Sequence, residues 1–347
     1  METGILLLIH IQMEDVMIKV GFIGCGGIMG AHLPGWKAVA EEAQVVAACD
    51  IIEERAKNRG LAVNPDVAIY TDWKKMLSVG EVDAVDIALP HYLHAAAIID
   101  AANAGKHVMT EKPLCITHEE AKNIEAAVKA NGIILQCAHN QMFEPAPRLA
   151  RKWVREGKVG RVFSIRTVDC FRAGGADGVQ DYGWRGKLAT CGGGCAIDTG
   201  YHPAYLLISI ANSEPKEVVS FSHNFIQKNL EGDDSAQTMV RFENDSIGTL
   251  QTSWAHPVPN GQWQISVVGE LGQIYGRGSD LYFAPLQGEV EKADLQPASG
   301  FVAEIQHYVQ CIKTGETPEQ SLKEGITVLN VILGGYESEK TGKIVKL

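Results

Sequence analysis

The chain has 347 residues, 46% hydrophobic and 21% charged, which is long for one core and comfortable for two domains of an ordinary globular enzyme. A formal net charge of -11, with no stripe of Lys or Arg, argues against a nucleic-acid partner and leaves small neutral or phosphorylated ligands open. No apolar run approaches a membrane span, and the eight cysteines are irregularly spaced, often inside apolar runs, as in a reduced cytoplasmic protein.

Ile5–Ile11 is apolar but lacks a basic flank and a small-residue cleavage site, so it is not read as a signal peptide. Met17 opens MIKVGFIG, a natural first strand, and residues 1–16 are read as an extension without functional importance. From Ile18 to about His139, β-branched runs (IKVGFIG, AQVVAAC, VAIY, AVDIALP, KHVMT, GIILQCA) alternate with stretches of helical composition. Parallel strands need crossovers, so this alternation predicts a doubly wound α/β Rossmann domain over residues 17–140.

Beyond Pro145 the texture changes. APRLARKWVREG and the segment after Asp198 read as helices, and KEVVSFSHNFI, SAQTMVRFEN, SIGTLQTSW, QWQISVVGE and GQIYGRG read as strands joined by turns such as Glu243-Asn244-Asp245. An open, mainly antiparallel sheet is expected over residues 141–347, an α+β domain whose last two helices can pack back on the first domain.

IKVGFIGCGGIMGAHL places Gly24 and Gly26 at a strand-to-helix turn, where backbone N–H groups can approach a pyrophosphate. The third position of the fingerprint holds Met29, with Gly30 one residue late, so a looser helix–strand contact is expected. Cofactor contacts are expected along this loop, Ile28 and Met29 included. Asp50 ends the second strand and can accept from both ribose hydroxyls while repelling a 2′-phosphate. Ile51 follows it without an adjacent Arg, which favours NAD. Arg55, a turn into the next helix, keeps NADP as the alternative, and Asp50 can also serve as a helix cap.

Thr190–Leu207 sets three glycines between two cysteines and then an Asp and a His four residues apart. Read alone, it fits a metal site, a hinge or a proton-handling pair. C191-x-x-x-C195 with Asp198 and His202 offers S, S, O and N donors, but the spacing is not that of a zinc knuckle; no metal is expected.

At Ala88–Thr117 a strand ending in Pro, a His four residues on, Gly-Lys-His-Val and Glu-Lys-Pro resemble the Gfo/Idh/MocA family of nicotinamide-dependent oxidoreductases. The glycine loop, Trp184-Arg185 and the Gly192–His202 segment fit the same pattern, so the resemblance covers nearly the whole chain from Met17. It implies that Lys112 lies beside the nicotinamide and a substrate hydroxyl, where an ammonium can orient a carbinol and stabilise charge on its oxygen. A cis Lys112-Pro113 peptide would aim that lysine. Asp198 and His202 are implied to act on the same substrate, His202 taking the hydroxyl proton as hydride passes to nicotinamide C4. The nearby carboxylate is expected to hold the ring and favour the imidazolium. Gly200 and Pro203 predict a kinked turn between the two residues.

The resemblance also implies cofactor contacts from Leu89, Pro90, His94, Glu111 and Asn140; the alternative for His94 is packing at a helix N-terminus. Trp184 and Arg185 are expected to shape the substrate pocket, or else to form a structural stack. HNQMFEP lacks the family's commoner basic residue near Phe143, so no substrate contact is expected there. Gly192–Gly194 are read as room for cofactor or substrate, and the two cysteines as packing residues.

The implied activity is NAD-dependent oxidation, or the reverse reduction, of a secondary alcohol of a cyclic polyol or sugar. Glycoside cleavage through transient sugar oxidation and a non-catalytic NAD-sensing regulator are the competing readings; a sensor would not need Lys112, Asp198 and His202. A homodimer or homotetramer built on the open sheet is expected from the family.

Overall fold

The computed structural model describes residues 17–174, 179–257 and 264–347; the extension expected at residues 1–16 and the first two residues of QWQISVVGE lie outside them. Among the described residues no helix is long and apolar enough to cross a membrane.

The first half alternates strictly: β1 (Ile18–Ile23), α1 (Met29–Ala38), β2 (Ala43–Cys49), α2 (Glu53–Gly60), β3 (Ala68–Tyr70), α3 (Trp73–Val79), β4 (Ala84–Ile87), α4 (His91–Asn103), β5 (His107–Glu111), α5 (His118–Asn131) and β6 (Leu135–Ala138). The strands form one parallel sheet in the order β3-β2-β1-β4-β5-β6. The order reverses between β1 and β4, and the carboxyl ends of those strands open the crevice where such sheets bind ligands. Every residue of β4 and β6 is buried, because helices cover both faces of the sheet. Local chemistry agrees with these boundaries. Thr117 and Glu120 form a reciprocal capping box at the start of α5, and Gly132 ends it in the left-handed region at φ 60°.

The second half continues with α6 (Pro145–Arg155), β7 (Val162–Cys170), three helical pieces at Leu188–Cys191, Cys195–Asp198 and Tyr201–Ala211 (α7, α8, α9), then β8 (Pro215–His223), β9 (Ser235–Phe242), β10 (Ile247–Ser253), β11 (Ile265–Gly269), β12 (Gly272–Arg277), β13 (Asp280–Pro285) and β14 (Glu291–Lys292). It ends with α10 (Gly300–Thr314), α11 (Leu322–Thr341) and β15 (Val345–Lys346). Nine strands form a sheet in the order β14-β13-β12-β11-β7-β10-β9-β8-β15. Most pairs are antiparallel as expected, but β7 and β10 run parallel at its centre. The sequence reading passed over β7 and β13. The outer face of β7 carries exposed Ser164 and Arg166, which breaks the apolar run that marks a buried strand.

Helices α9 and α11 cover one face of this sheet, with Leu206, Leu207, Ile210, Val328, Leu329 and Val331 fully or almost fully buried. The α10 helix instead returns to the first sheet: Ile305, Tyr308, Val309 and Ile312 join Phe22, Met29 and Trp36 in one core cluster. The break expected around Gly200 is present, since α8 ends at Asp198 and α9 begins at Tyr201.

Candidate active site

A cleft of about 970 Å³ runs along the carboxyl ends of β1, β2 and β4. Gly24, Gly26, Ile28, Asp50, Ile51 and Arg55 line it, as do Leu89 and Pro90 from the end of β4. Gly24 sits at φ 87°, and a Cβ there would meet the Ala88 carbonyl oxygen, so only glycine allows β1 and β4 to close behind the loop. At Gly26 and Gly27 a Cβ would meet nothing within 4 Å. That open cradle at the start of α1 has the room and the backbone donors a pyrophosphate needs.

Asp50 performs two tasks. Oδ2 accepts from the Cys25 backbone N–H at 2.9 Å and Oδ1 from Ile52 at 2.8 Å, so the carboxylate braces the glycine loop while facing the cleft. Arg59, not singled out from the sequence, also lines the cleft, and its Nε–H donates to the Gly26 carbonyl at 3.3 Å. Two expectations fail in this loop. The Met29 side chain is fully buried in the core and does not line the cleft, because α1 turns it onto the sheet. For the same reason it fills the helix–strand contact rather than loosening it.

Trp184 and Arg185 line this cleft and also a smaller cavity of about 200 Å³, which they share with Ile28, Leu89, Glu111, Lys112, Asn140 and His202. The cis Lys112-Pro113 peptide lies at its edge. Lys112 Nζ donates to Asp198 Oδ1 at 2.7 Å and to the Asp198 carbonyl at 3.0 Å. Arg185 Nε–H donates to Asp198 Oδ2 at 2.6 Å, and its guanidinium stacks 4.1 Å over the Trp184 ring. Stack and pocket wall, posed as alternatives, are therefore one arrangement. Burial opposes charge on Asp198, but Lys112, His91 and Arg185 together hold its carboxyl well below the usual range.

Asp198 therefore anchors the two cations and does not hold the His202 ring, contrary to expectation. His202 Nδ1 is bonded to Tyr205 Oη at 2.7 Å. Burial, reinforced by the Lys112 charge, lowers the His202 pKa to about 3, so the ring is neutral rather than an imidazolium. Asp198 is also absent from the cavity wall; it lies behind Lys112 and Arg185.

His94 is corrected too. It is fully buried, with Nδ1 2.6 Å from the Pro113 carbonyl and Nε2 2.8 Å from the Leu89 carbonyl, so it ties two loops together and lines neither cavity. Its neighbour His91 lines the smaller cavity, packs against Trp184 at 4.5 Å and points Nε2 at Asp198 from 3.8 Å. Burial lowers the His91 pKa to about 3.

Beneath the cavity lies a buried pair of carboxylates bridged by His32, which the sequence reading missed. Its Nδ1 is 2.8 Å from Asp86 Oδ2 and its Nε2 3.1 Å from Glu111 Oε1. Burial alone would discharge His32, but the Asp86 carboxylate and Glu111 push its pKa well up. Burial likewise opposes charge on Glu111, yet the bond from His32 brings its pKa down to about 2. Glu111 is thus a fixed anion one residue from Lys112.

The glycine trio does not leave room for a ligand. A Cβ at Gly192 would meet Ile116 Cβ at 2.6 Å, one at Gly193 would strike Tyr336 Oη, and one at Gly194 the Asp233 carbonyl oxygen. The space these glycines leave is filled by the protein itself. Asp233 accepts from the Gly194 and Ala196 N–H groups at 3.2 and 2.8 Å, which pins the start of α8 and hence Asp198. Cys191 and Cys195 are fully buried, as expected of packing residues.

Residues 18–139 match the model of an oxidoreductase family with an NAD-binding Rossmann fold, and residues 148–275 match the GFO/IDH/MocA C-terminal domain. A levoglucosan dehydrogenase of Pseudarthrobacter phenanthrenivorans is 30% identical over 308 residues, covering 77% of this chain and 76% of that protein. The scyllo-inositol 2-dehydrogenase (NAD(+)) of Bacillus subtilis is 24% identical over 340 residues, 95% of this chain and 96% of the relative. A solved structure of levoglucosan dehydrogenase in complex with NADH superposes with a TM-score of 0.87 over 95% of this chain and 99% of that one, at 24% identity. The chain belongs to the Gfo/Idh/MocA family of NAD-binding oxidoreductases.

Proposed function

We propose that the chain oxidises a secondary alcohol of a cyclic polyol or sugar, reversibly and with NAD as hydride acceptor, in the cytosol. The observation that carries this reading is the convergence of Lys112 and His202 on one small cavity that shares Trp184 and Arg185 with the dinucleotide cleft. Bound NAD supplies the hydride acceptor at nicotinamide C4. Lys112, fixed by Asp198, donates to the substrate oxygen and stabilises its developing charge; the neutral His202 accepts the hydroxyl proton. The Asp50 carboxylate, which lines the cleft after β2, favours NAD over NADP. The outer face of the nine-stranded sheet, with exposed Phe221, Met239 and Ile247, is the expected contact in a homodimer or homotetramer.

The test is a screen of inositols, hexoses, levoglucosan and glycosides for NAD and NADP reduction by the wild type and by Lys112→Met. NADH formed in proportion to alcohol consumed supports a dehydrogenase. Cleaved glycoside without NADH accumulation, or full activity of Lys112→Met, overturns it.

A further inference from the structure

His202 is held by a hydroxyl whose residue lines neither cavity. Tyr205 lies three residues further along α9, with Oη 2.7 Å from Nδ1, and the Gln141 backbone N–H donates to the same oxygen at 3.3 Å. Tyr205 is 1% exposed and its ring stacks on His139 at 4.4 Å and 15°, so the phenol is fixed from three directions. The charged and titratable groups facing His202 are Lys112 and Glu111 at the end of β5, Asp198 at the end of α8 and His139 after β6. None of them bonds Nδ1. Asp198 is engaged by Lys112 and Arg185, and burial keeps His139 neutral.

We infer that Tyr205 is the positioning residue of the proton-transfer step, its hydroxyl holding Nδ1 of His202 so that Nε2 meets the substrate oxygen. The inference rests on the reading of His202 as proton acceptor given above. A hydroxyl both donates and accepts, whereas a carboxylate only accepts. In the tautomer that can react, Nε2 is bare and Nδ1–H donates to Oη; in the other, the proton is on Nε2 and Oη–H donates to a bare Nδ1. The ring thus changes tautomer without losing its partner.

In oxidation the O–H proton of the alcohol passes to Nε2 and the C–H electron pair leaves with its hydrogen as hydride to the nicotinamide. A carbonyl, the reduced cofactor and an imidazolium result, the last donating Nδ1–H to Oη. Reduction retraces these steps. A carboxylate in place of the hydroxyl would favour the charged ring. With a neutral partner, burial and Lys112 prevail, and the acceptor stays free of its proton far below the usual imidazole range.

The experiment follows the ring nitrogens of isotope-labelled histidine by NMR in the full-length enzyme with NADH bound, His202 being assigned with His202→Asn. In the wild type the His202 nitrogens should not titrate between about pH 5 and pH 9; a midpoint near the ordinary imidazole value overturns the inference without any variant. Tyr205→Phe should alter the tautomer ratio and lower kcat on the best polyol of the screen by on the order of tenfold to a hundredfold, with NADH affinity kept. Tyr205→Asp should raise the midpoint by about two units and bring an acid limb into the pH profile of kcat/KM. If Tyr205→Phe keeps the wild-type tautomer ratio and pH profile while His202→Asn is inactive, this inference alone fails. If His202→Asn oxidises the polyol at full rate, the reading of His202 fails with it.

Discussion

The chain has two glycine-rich stretches, and they are opposites. Side chains added at Gly26 and Gly27 would enter empty space in the dinucleotide cleft; side chains added at Gly193 and Gly194 would collide with Tyr336 and the Asp233 backbone. One stretch is kept bare for a ligand, the other so that three segments of the protein can meet. Glycine composition alone does not say which. The difference teaches that the segment leading into Asp198 is rigid because protein packs against its glycines, and that the glycine loop after β1 is receptive because its cleft side is left bare.

The largest effect that tests this contrast is at the residue the rigid segment serves. Lys112→Met should lower kcat by about a hundredfold to a thousandfold with NADH affinity nearly kept, since that segment still fixes Asp198 but no ammonium meets the substrate oxygen. Steady-state kinetics and NADH titration separate the two. Next, Gly194→Ala should cost about 1–3 kcal/mol of stability, read as a lower denaturation midpoint, because backbone cannot yield as a flexible side chain would. Gly26→Ala should reverse that profile: the midpoint unchanged, and NADH binding weaker by about 2 kcal/mol, roughly thirtyfold. A Gly26→Ala variant that unfolds early while binding NADH normally would erase the comparison. The smallest effect is at the rim of the cleft. Asp50→Asn keeps acceptors for Cys25 and Ile52 but loses the charge, so the ratio of NAD to NADP efficiency should fall by less than about tenfold.

Much of this was legible because the first sheet is buried on both faces. Its strands are short apolar runs, and its helices carry their own caps, as at Thr117 and Glu120. The second sheet hides more, since β7 shows Ser164 and Arg166 on its open face and so reads as neither apolar run nor helix. At the site, residue types came through and partners did not. His91 and His94 are one turn apart on α4; which of them faces the cavity depends on the rotation of that helix, set by contacts with the Pro113 and Leu89 carbonyls. The Asp198–His202 spacing suggested a bonded pair, but the break at Gly200 redirects the carboxylate to Lys112 and Arg185. Tyr205 was visible three residues beyond His202, with only its chemistry left to be noticed.

The return of α10 has a bearing on how the chain is made. Ile305 lies against Gly35 and Tyr308 packs edge-on to Trp36 at 6.5 Å, so the wall behind α1 comes from residues near the far end of the chain. A ribosome releases the six strands of the first sheet long before it releases that wall. Until α10 is made, Trp36 lacks this cover in the nucleotide-binding half, so loss of α10 should be felt at α1 and the glycine loop that leads into it.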